Sequence, residues 1–547
     1  MENKNLLLAF IASFGIIYLY DMFSPTVKSD NTKTEQVNVI KKEPVQESIS
    51  VQQVVNEKIT PISVKVDTEK FNGDLLIEGD KITGMQLRNF EEDVGSEARV
   101  VLLRDSNYTI SSGFTSGNNN VIFNWKLISG DTLNLNNPIK LAADLGNGIT
   151  ALRTISVDEK YALTFTTEII NASGKSLQIS EKNEITKTLT DKDSGGTWTL
   201  NEGATGYLDG DLIENNFDDI KKKNFAYSGH IDWAGLTDKY WLVSLINPSR
   251  KAHYNINYSL LKNDEKHPSY KATFEGENFV INAGENRTFK TVIFVGPKDI
   301  NLLDEYEEKC DIKHFDLAID YGKLYFITKP ILYFLNYINS IFGSMGWTIL
   351  FLTILIKLVL FPFANKSYKS MARMRVVQPK IKALQQLYAN DKQRLGQEMM
   401  MLYKREKVNP LGGCLPSLMQ FPILFALYKV LMICFGMRHA SFLWIDDLAA
   451  PEPYSVFNLF GLLPFEVPSF LMIGTWALLM GGSMFLQQKM TPQVAADPQQ
   501  EKMFMLMPIF LMFMMSGFPV GLLIYWTLSN LFSIVQQYYV TKYSSVR

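Results

Sequence analysis

Two lysines lie inside long apolar runs of the sequence, and their position needs a chemical explanation. Lys357 falls within Met345–Phe363, and Lys429 falls within Pro416–Met437. A cation in a membrane-length apolar segment is costly unless its ammonium group reaches the interface or faces water. Lys357 would lie roughly 9 Å inside its segment at 1.5 Å per residue, so its position fits either a snorkelling side chain or a water-facing charge. We expect Lys429, near the other end of its segment, to snorkel.

Polar and aromatic residues in the apolar segments are candidates to share a hydrophilic groove with Lys357. Thr353 lies one helical turn before Lys357 and on the same helix face. Taken singly, such residues are more often helix–helix hydrogen bonds or interfacial anchors. The candidates from other segments are Gln420, Tyr525, Trp526, Ser529 and Asn530.

The sequence shows no other recognisable chemistry. Its five histidines and three cysteines lack metal-ligand spacing, and it has no phosphate-binding GxxxxGK[ST] loop, GxSxG or HExxH motif. The apolar segments contain no Asp or Glu, which argues against a proton-coupled transporter. We therefore predict no catalytic site, no metal, no cofactor and no enzymatic activity.

Composition divides the chain into different parts, although the averages resemble those of a soluble protein. The 547 residues carry a net charge of −2 and are 20% charged, but the long apolar runs lie almost entirely at the two ends. Their lengths fit a bilayer core of about 30 Å. We predict six transmembrane helices: an N-terminal anchor within residues 1–23, a second span at 345–365, and four spans joined by short loops within 415–547.

Basic residues in the loops predict the orientation of these spans. The loop from Lys366 to Lys407 is rich in Lys and Arg, whereas the loop from Arg438 to Pro468 has one arginine and several acids. The first loop should therefore be cytoplasmic and the second external. With six spans, both termini would be cytoplasmic and the large segment after the anchor would be external.

The external segment has three predicted parts. Residues 24–60 are polar, poor in aromatics, and read as a flexible tether. Residues 61–312 contain short strand-like runs separated by Asn, Gly and Asp turns, which predicts an antiparallel β-sandwich. Residues 313–344 predict an amphipathic helix on the membrane surface, with a helix packed on the β-domain as the alternative.

The basic loop at 366–414 predicts a helical hairpin with a break near Asn390 and Asp391. Such a surface is most often simply solvated, but its charge also suits anionic lipid headgroups or ribosomal RNA. We do not expect it to recognise a specific nucleic-acid sequence. The candidate binding residues of this hairpin are Arg373, Arg375, Lys380 and Arg394.

Motifs in order between residues 342 and 539 resemble those of YidC-type membrane protein insertases. They are SMARMRVVQPKI (370–381), DKQR (391–394), QEMM (397–400), KVNPLGGC (407–414), QFPI (420–423), DPQQEKM (497–503) and GFPVGLLIYW (517–526). The six-span plan with a large domain after the first span is similar to the Gram-negative form of that family.

The resemblance implies an α+β membrane protein in the bacterial inner membrane. It would have a five-helix insertase core and a periplasmic antiparallel β-supersandwich. The expected partners are nascent membrane proteins, the ribosome, Sec translocon components and the lipid bilayer. The family also implies a groove, open to the cytoplasm and lipid, that contains a cation in the first span of the core.

This sequence departs from the family pattern at three groove positions. Lys357 stands where the best-known members have arginine, which keeps the charge but loses the bidentate guanidinium fork. Tyr525 matches a family tyrosine, whereas Trp526 replaces a common second tyrosine. Lys429 occupies a position that is usually aromatic.

Insertion of nascent transmembrane segments into the inner membrane, with or without the Sec translocon, is the predicted function. One alternative is a solute transporter with an external binding domain, which would show solute flux in liposomes. Another is an external carbohydrate-active enzyme, which would need a pair of carboxylates in one cleft.

Overall fold

The computed structural model describes residues 59–117, 119–190, 200–248, 252–388, 391–406, 415–460, 462–463, 465, 467–468, 471–491 and 498–544. The chain divides into two compact units between Lys323 and Leu324, called here the β unit and the helical unit. The predicted anchor (1–23) lies outside the described residues, as does the tether (24–60) apart from its last two positions.

The β unit is built almost wholly of antiparallel strands, as the sequence predicts. Its described residues form β1 (Ile62–Asp67), β2 (Phe71–Glu78), β3 (Lys81–Glu91), β4 (Arg99–Val101), β5 (Tyr108–Ser116), β6 (Asn119–Asn120), β7 (Lys126–Ser129), β8 (Thr132–Leu133), β9 (Ile139–Asp144), β10 (Ile149–Val157), β11 (Ala162–Asn171), β12 (Leu177–Thr188), β13 (Gly203–Leu208), β14 (Asp211–Asn216), β15 (Phe225–Thr237), β16 (Trp241–Ile246), β17 (His253–Lys262), β18 (Ser269–Ile281) and β19 (Asn286–Pro297), with the short helix α1 (Phe217–Lys222) after β14.

Two sheets share strand β15, which passes from one sheet to the other. The first sheet runs β8-β1-β2-β3-β5-β12-β18-β17-β15, and the second runs β7-β9-β10-β11-β19-β16-β15-β13-β14. Residues 225–230 of β15 pair with β17, whereas residues 233–237 pair with β16. Inward-facing side chains join the two sheets, for example Phe114 and Phe289, whose ring centroids are 5.0 Å apart.

A polar layer crosses the apolar core between the sheets. Arg153 of β10 is buried, donates from Nε to Thr167 Oγ1 at 2.9 Å, and has its guanidinium carbon 4.6 Å from the Trp125 ring centroid. Asp80 and Glu181 are the acids that interact electrostatically with Arg153. Burial outweighs the nearby guanidinium, so the pKa of Asp80 is raised to about 7, and burial also raises the pKa of Glu181.

Residues 298–323 close the β unit and correct one prediction. Helix α2 (Ile300–Cys310) is followed by a 3-10 helix (Phe315–Ala318). Phe315 and Ile319 are buried, and the Phe315 ring lies 5.4 Å from that of Trp233. The amphipathic helix predicted for 313–344 therefore begins only at Tyr325, because the apolar residues before it pack into the β unit.

The helical unit contains seven helices among its described residues. They are α3 (Tyr325–Phe342), α4 (Met345–Leu387), α5 (Lys392–Arg405), α6 (Leu415–Ile433), α7 (Thr475–Met490), α8 (Pro498–Met515) and α9 (Val520–Ser544).

Helix α4 continues without a break through the predicted boundary between the second span (345–365) and the hairpin (366–414). It has 43 residues, so its length is roughly 64 Å at 1.5 Å per residue, about twice a bilayer core. Within the described residues it alone is both long and apolar enough to cross a membrane, while Pro422–Ile433 and Met505–Met515 are shorter apolar helical stretches. The count of six spans remains a prediction.

The stability of the β unit should fall as the pH rises from about 4 to about 7. Folded Asp80 keeps its proton up to near pH 7, whereas an unfolded chain releases it near pH 3.9. Rising pH through this range therefore favours unfolding, by at most about 1.4 kcal/mol per pH unit for one proton. Pulse proteolysis of the full-length protein in urea measures this dependence.

The substitution Asp80→Asn should flatten that pH dependence. The matched control, Asp105→Asn, changes an exposed aspartate of the same unit and should leave the dependence unchanged. A wild-type stability that rises between pH 4 and 7 would contradict the assignment.

Candidate functional site

Helix α9 places a stripe of polar side chains inside the helical unit. Ser529, Asn530, Ser533 and Gln537 are nearly fully buried, and their spacing of three or four residues puts them on one helix face. This face packs against α4 and α7. The Asn530 amide nitrogen donates to Ser483 Oγ of α7 at 3.0 Å, so the stripe makes hydrogen bonds between helices.

Lys357 reaches this stripe from α4. Its Nζ donates to Ser533 Oγ at 2.9 Å, and Ser533 Oγ donates to the Ser529 carbonyl at 2.9 Å. The Tyr368 side chain of α4 lies beside the same hydroxyl. The Ser533 hydroxyl thus accepts from Lys357 and donates to its own helix. The Lys357 side chain is partly buried, so the cation lies inside the bundle beside the polar stripe.

The other predicted groove residues differ in their exposure. Thr353 is buried, and its hydroxyl donates to the Ile349 carbonyl of its own helix at 2.7 Å. Tyr525 is buried, with its hydroxyl bonded to Ser529, while Trp526 is half-buried. Thr353 and Tyr525 therefore present no open surface in this conformation. The side chain of Gln420 lies outside the described ones.

Ser533, Tyr368 and Gln537 were not among the predicted site residues. A lone serine or glutamine in an apolar run carries little signal by itself. The recurrence of polar residues at 529, 530, 533 and 537 in α9 was the available pattern, because that spacing marks one face of a helix.

The hairpin of α4 and α5 has its own small core. Met374, Val377 and Ile381 of α4 pack against Leu395, Met399 and Tyr403 of α5. Lys380 pairs with Glu406 across the hairpin at 2.7 Å and holds the pKa of that carboxyl below its usual range. The Arg394 guanidinium carbon lies 5.6 Å from the Tyr388 ring centroid, whereas Arg373 is exposed.

Arg375 attaches the base of the hairpin to the bundle. Its guanidinium donates to the carbonyl of Met490, the last residue of α7. The amide nitrogen of Gln537 in α9 donates to the same carbonyl at 2.9 Å. A cation at a helix C-terminus also interacts favourably with the helix dipole. Arg375 is therefore a structural contact among three helices.

An apolar cleft lies between helices α3, α4 and α6. Its volume is about 470 Å³. Phe334 lines it from α3, Leu355 and Val359 from α4, and Ile423 from α6. The cleft suits an apolar chain or helix side rather than a polar solute.

One group of carboxylates in the β unit could hold a hard cation. Oxygen atoms of Asp304, Glu307 and Asp316 lie within 4.8 Å of one another. Glu307 already accepts a hydrogen bond from the Phe315 backbone nitrogen at 3.1 Å. Exposed acidic groups are common without a metal, and this arrangement assigns no ligand.

The helical unit places a partly buried lysine against a buried polar stripe, and it follows an antiparallel β-sandwich in the chain. These features fit a membrane protein with a polar site among apolar helices. The family described as "60Kd inner membrane protein" matches residues 337–546, and "YidC periplasmic domain" matches residues 63–334. The chain belongs to the YidC family of membrane protein insertases.

Full-length relatives support this assignment. The membrane protein insertase YidC of Rickettsia felis is 41% identical over 575 aligned positions, with 100% of both chains covered. That of Rickettsia prowazekii is 40% identical over 571 positions, again with 100% coverage of both. A galactose mutarotase-like protein from Lactobacillus casei matches 43% of this chain with 11% identity and a TM-score of 0.29, which is too weak to bear on function.

Replacing Arg375 with alanine should loosen the hairpin from the bundle. The Met490 carbonyl would lose its charged donor, and hydrogen bonds to charged groups contribute about 1.5–3 kcal/mol when shielded from water. Hydrogen exchange should therefore speed up in the C-terminal turn of α7 and in residues 371–387 of α4.

The exposed Arg373 provides the matched control, since Arg373→Ala removes the same charge two residues away. Equal exchange rates in the two variants would show that the Arg375 contact does not hold the hairpin.

Proposed function

We propose that the helical unit moves the polar flank of a nascent transmembrane segment across the bacterial inner membrane, with Lys357 as the receiving charge. The observation that carries this proposal is the partly buried Lys357, whose Nζ donates to Ser533 Oγ at 2.9 Å. A cation in this position can exchange a neutral hydroxyl partner for a carboxylate of the passing chain.

The energetics favour acidic flanks. Moving a carboxylate from water into an apolar bundle is costly. An ammonium about 4 Å away offsets that cost by roughly 4 kcal/mol at an effective dielectric constant near 20. The buried stripe of α9 adds hydroxyl and amide groups beside the lysine. The site thereby lowers the barrier for a short polar segment without an external energy source.

The apolar part of the substrate would leave sideways into lipid. Half-buried Trp526 and the apolar cleft beside Leu355 and Val359 offer contact surfaces on the way. Burial of each CH₂ group in the bilayer contributes about 0.8 kcal/mol, so release is favourable for a sufficiently apolar helix. Buried Tyr525 would join this path only if the helices separate.

The topology proposed for this function keeps six spans and cytoplasmic termini. Its support is the basic hairpin at one end of the bundle and the acidic loop at the other. The β unit would then be periplasmic. The exposed Arg373 and the neighbouring basic residues would meet the ribosome, the nascent chain or Sec translocon components first.

Replacing Lys357 with alanine should slow the insertion of substrates whose translocated flank is acidic. We expect a loss on the order of tenfold, equivalent to about 1.4 kcal/mol, because the carboxylate would lose its counter-charge. Lys357→Arg should retain most activity, since the charge is kept. Insertion into proteoliposomes of a substrate series with acidic and neutral flanks measures the effect.

Lys126→Ala is the control, because it removes an exposed lysine from strand β7 of the β unit and leaves the basic hairpin unchanged. Unchanged insertion of every acidic-flank substrate by the Lys357→Ala variant would remove the lysine from the mechanism. Photocrosslinking from positions 357 and 526 to a stalled nascent chain provides a second readout, with lipid-exposed position 506 as the comparison.

We expect Ser533 to affect insertion indirectly, by positioning the Lys357 ammonium group. Ser533→Ala would remove the acceptor of the ammonium group, and we expect a reduction of several-fold for acidic-flank substrates with little change for neutral ones. Ser533→Thr keeps the hydroxyl and should restore activity. Rescue by threonine would show that the hydroxyl group, rather than a general loss of packing, accounts for the effect of Ser533→Ala.

A double-mutant cycle tests the coupling between the two residues. If Ser533 acts by positioning the lysine, Lys357→Ala with Ser533→Ala should insert no more slowly than Lys357→Ala alone. Additive losses would show that the serine acts independently.

A further inference from the structure

The segment between α6 and α7 exposes an unusual amount of apolar surface. Residues 453–465 contain no charged side chain, and Leu462 is 82% exposed. Soluble proteins rarely expose contiguous patches of this kind. We call this set the apolar loop surface; its members are Tyr454, Phe457, Leu459, Phe460, Leu462, Leu463 and Phe465.

Much of the described backbone of this segment is hydrogen-bonded internally. Seven described N–H groups between 456 and 465 donate to acceptors within the segment or to the Ile473 carbonyl. For example, Val456 donates to Ile473 at 2.9 Å and Phe460 donates to the Ser455 carbonyl at 2.8 Å. The other donors are Phe457 to Ser455 Oγ, Leu459 to Val456, Leu462 to Leu459, Leu463 to Asn458 and Phe465 to Leu463. A loop in water has no need of this, whereas irregular backbone in contact with hydrocarbon does.

Polar side chains around this segment point inward. Glu452 is buried and accepts from the Trp444 indole at 3.1 Å and from the Trp476 backbone at 3.0 Å, which places its carboxylate at the N-terminus of α7. Ser455 is buried and donates to the Leu471 carbonyl at 2.9 Å. The segment therefore has polar groups inside and apolar groups outside, the reverse of a solvated loop.

Two adjacent bulky residues adopt left-handed backbone conformations. Leu459 has φ 51° and Phe460 has φ 59°, a region that β-carbon sterics disfavour. This conformation turns both side chains outward at almost half exposure or more. The Leu459 N–H donates to the Val456 carbonyl at 3.1 Å and the Phe460 N–H to the Ser455 carbonyl at 2.8 Å, which holds this conformation. Contact with lipid would bury the two side chains that it exposes.

We propose that the apolar loop surface is immersed in the bilayer, at the outer-leaflet interface under the topology above. The partner is lipid rather than another protein because the segment lies in the loop between two apolar helices, α6 and α7, of a chain that belongs to a family of membrane protein insertases. Tyr454 also matches the interfacial preference of tyrosine, and exposed Phe and Leu side chains suit the boundary between headgroups and acyl chains. The segment's base is fixed to the bundle, since Val520 and Gly521 at the start of α9 donate to the Ala450 and Leu448 carbonyls at 3.0 Å.

A loop that enters the outer leaflet would shorten the hydrocarbon path beyond Lys357. It would displace lipid at the external end of the bundle, where a translocating polar flank must emerge. The lipid contact itself does not depend on that role, so a solvated loop would leave the function proposed for Lys357 intact.

Depth-dependent quenching tests the proposal. An environment-sensitive fluorescent amino acid replaces Leu462 in the full-length protein, reconstituted in phosphatidylethanolamine–phosphatidylglycerol vesicles. Doxyl-labelled phospholipid quenches from the bilayer, and iodide quenches from water. The matched control is position 128, because Ile128 is a comparably apolar residue, 58% exposed, in the β unit. Position 359 on the apolar part of α4 serves as the lipid-contacting reference.

The expected result is doxyl quenching at 462 several-fold stronger than at 128, approaching that at 359, with iodide access reduced in the same proportion. Strong iodide quenching without doxyl quenching would overturn the proposal in favour of a solvated loop. Protection from both quenchers would overturn it in favour of burial against the β unit, a second copy or another protein.

Discussion

The cost of placing an ammonium group in an apolar helix bundle governs much of the helical unit. Lys357 can occupy its position only because α9 brings a hydroxyl to within hydrogen-bond distance. That hydroxyl in turn requires buried polar neighbours, so α9 carries Ser529, Asn530 and Gln537 along the same face. The close packing of α4, α7 and α9 follows from satisfying these groups, since unpaired polar atoms in an apolar interior cost about 1–3 kcal/mol each. The polar stripe is thus a structural requirement of the bundle, and its side chains are almost wholly buried in this conformation.

The sequence alone contains the positions of the apolar helices, the hairpin and the lysine, because these depend on composition and local periodicity. The sequence alone does not show which helices pack against each other. Lys357 and Ser533 are separated by 176 positions, and only the packing of α4 on α9 shows that they touch. The same limit explains Thr353 and Tyr525, whose faces turned out to be buried between helices. Phe315 and Ile319 were misassigned because apolar residues alternating with acids look alike whether they pack on a sheet or on lipid.

The two units treat buried charge in different ways. In the β unit, Arg153 shares the core with two acids, and burial raises the pKa of both. The terminal guanidinium nitrogens of Arg153 have no hydrogen-bond partner among the described residues, so the acids balance its charge chiefly through electrostatic interaction. In the helical unit, the lysine has no acidic residue within the predicted spans. An acidic residue fixed inside the bundle would compete with a substrate carboxylate for the ammonium group. The function proposed for Lys357 is therefore served better by a neutral hydroxyl partner.

The continuity of α4 gives the bundle a mechanical property. Pro362 interrupts the backbone hydrogen bonds of this helix five residues after Lys357, between the membrane part and the hairpin. The segment from Pro362 to Leu387 is roughly 38 Å long, so a small change of direction at the proline produces a large displacement at its far end. A bend of about 10° at the proline would therefore move the hairpin tip through roughly 7 Å, while the lysine near the bend moved far less. Arg375 contacts the last residue of α7 from within that segment and would therefore limit the amplitude of this motion.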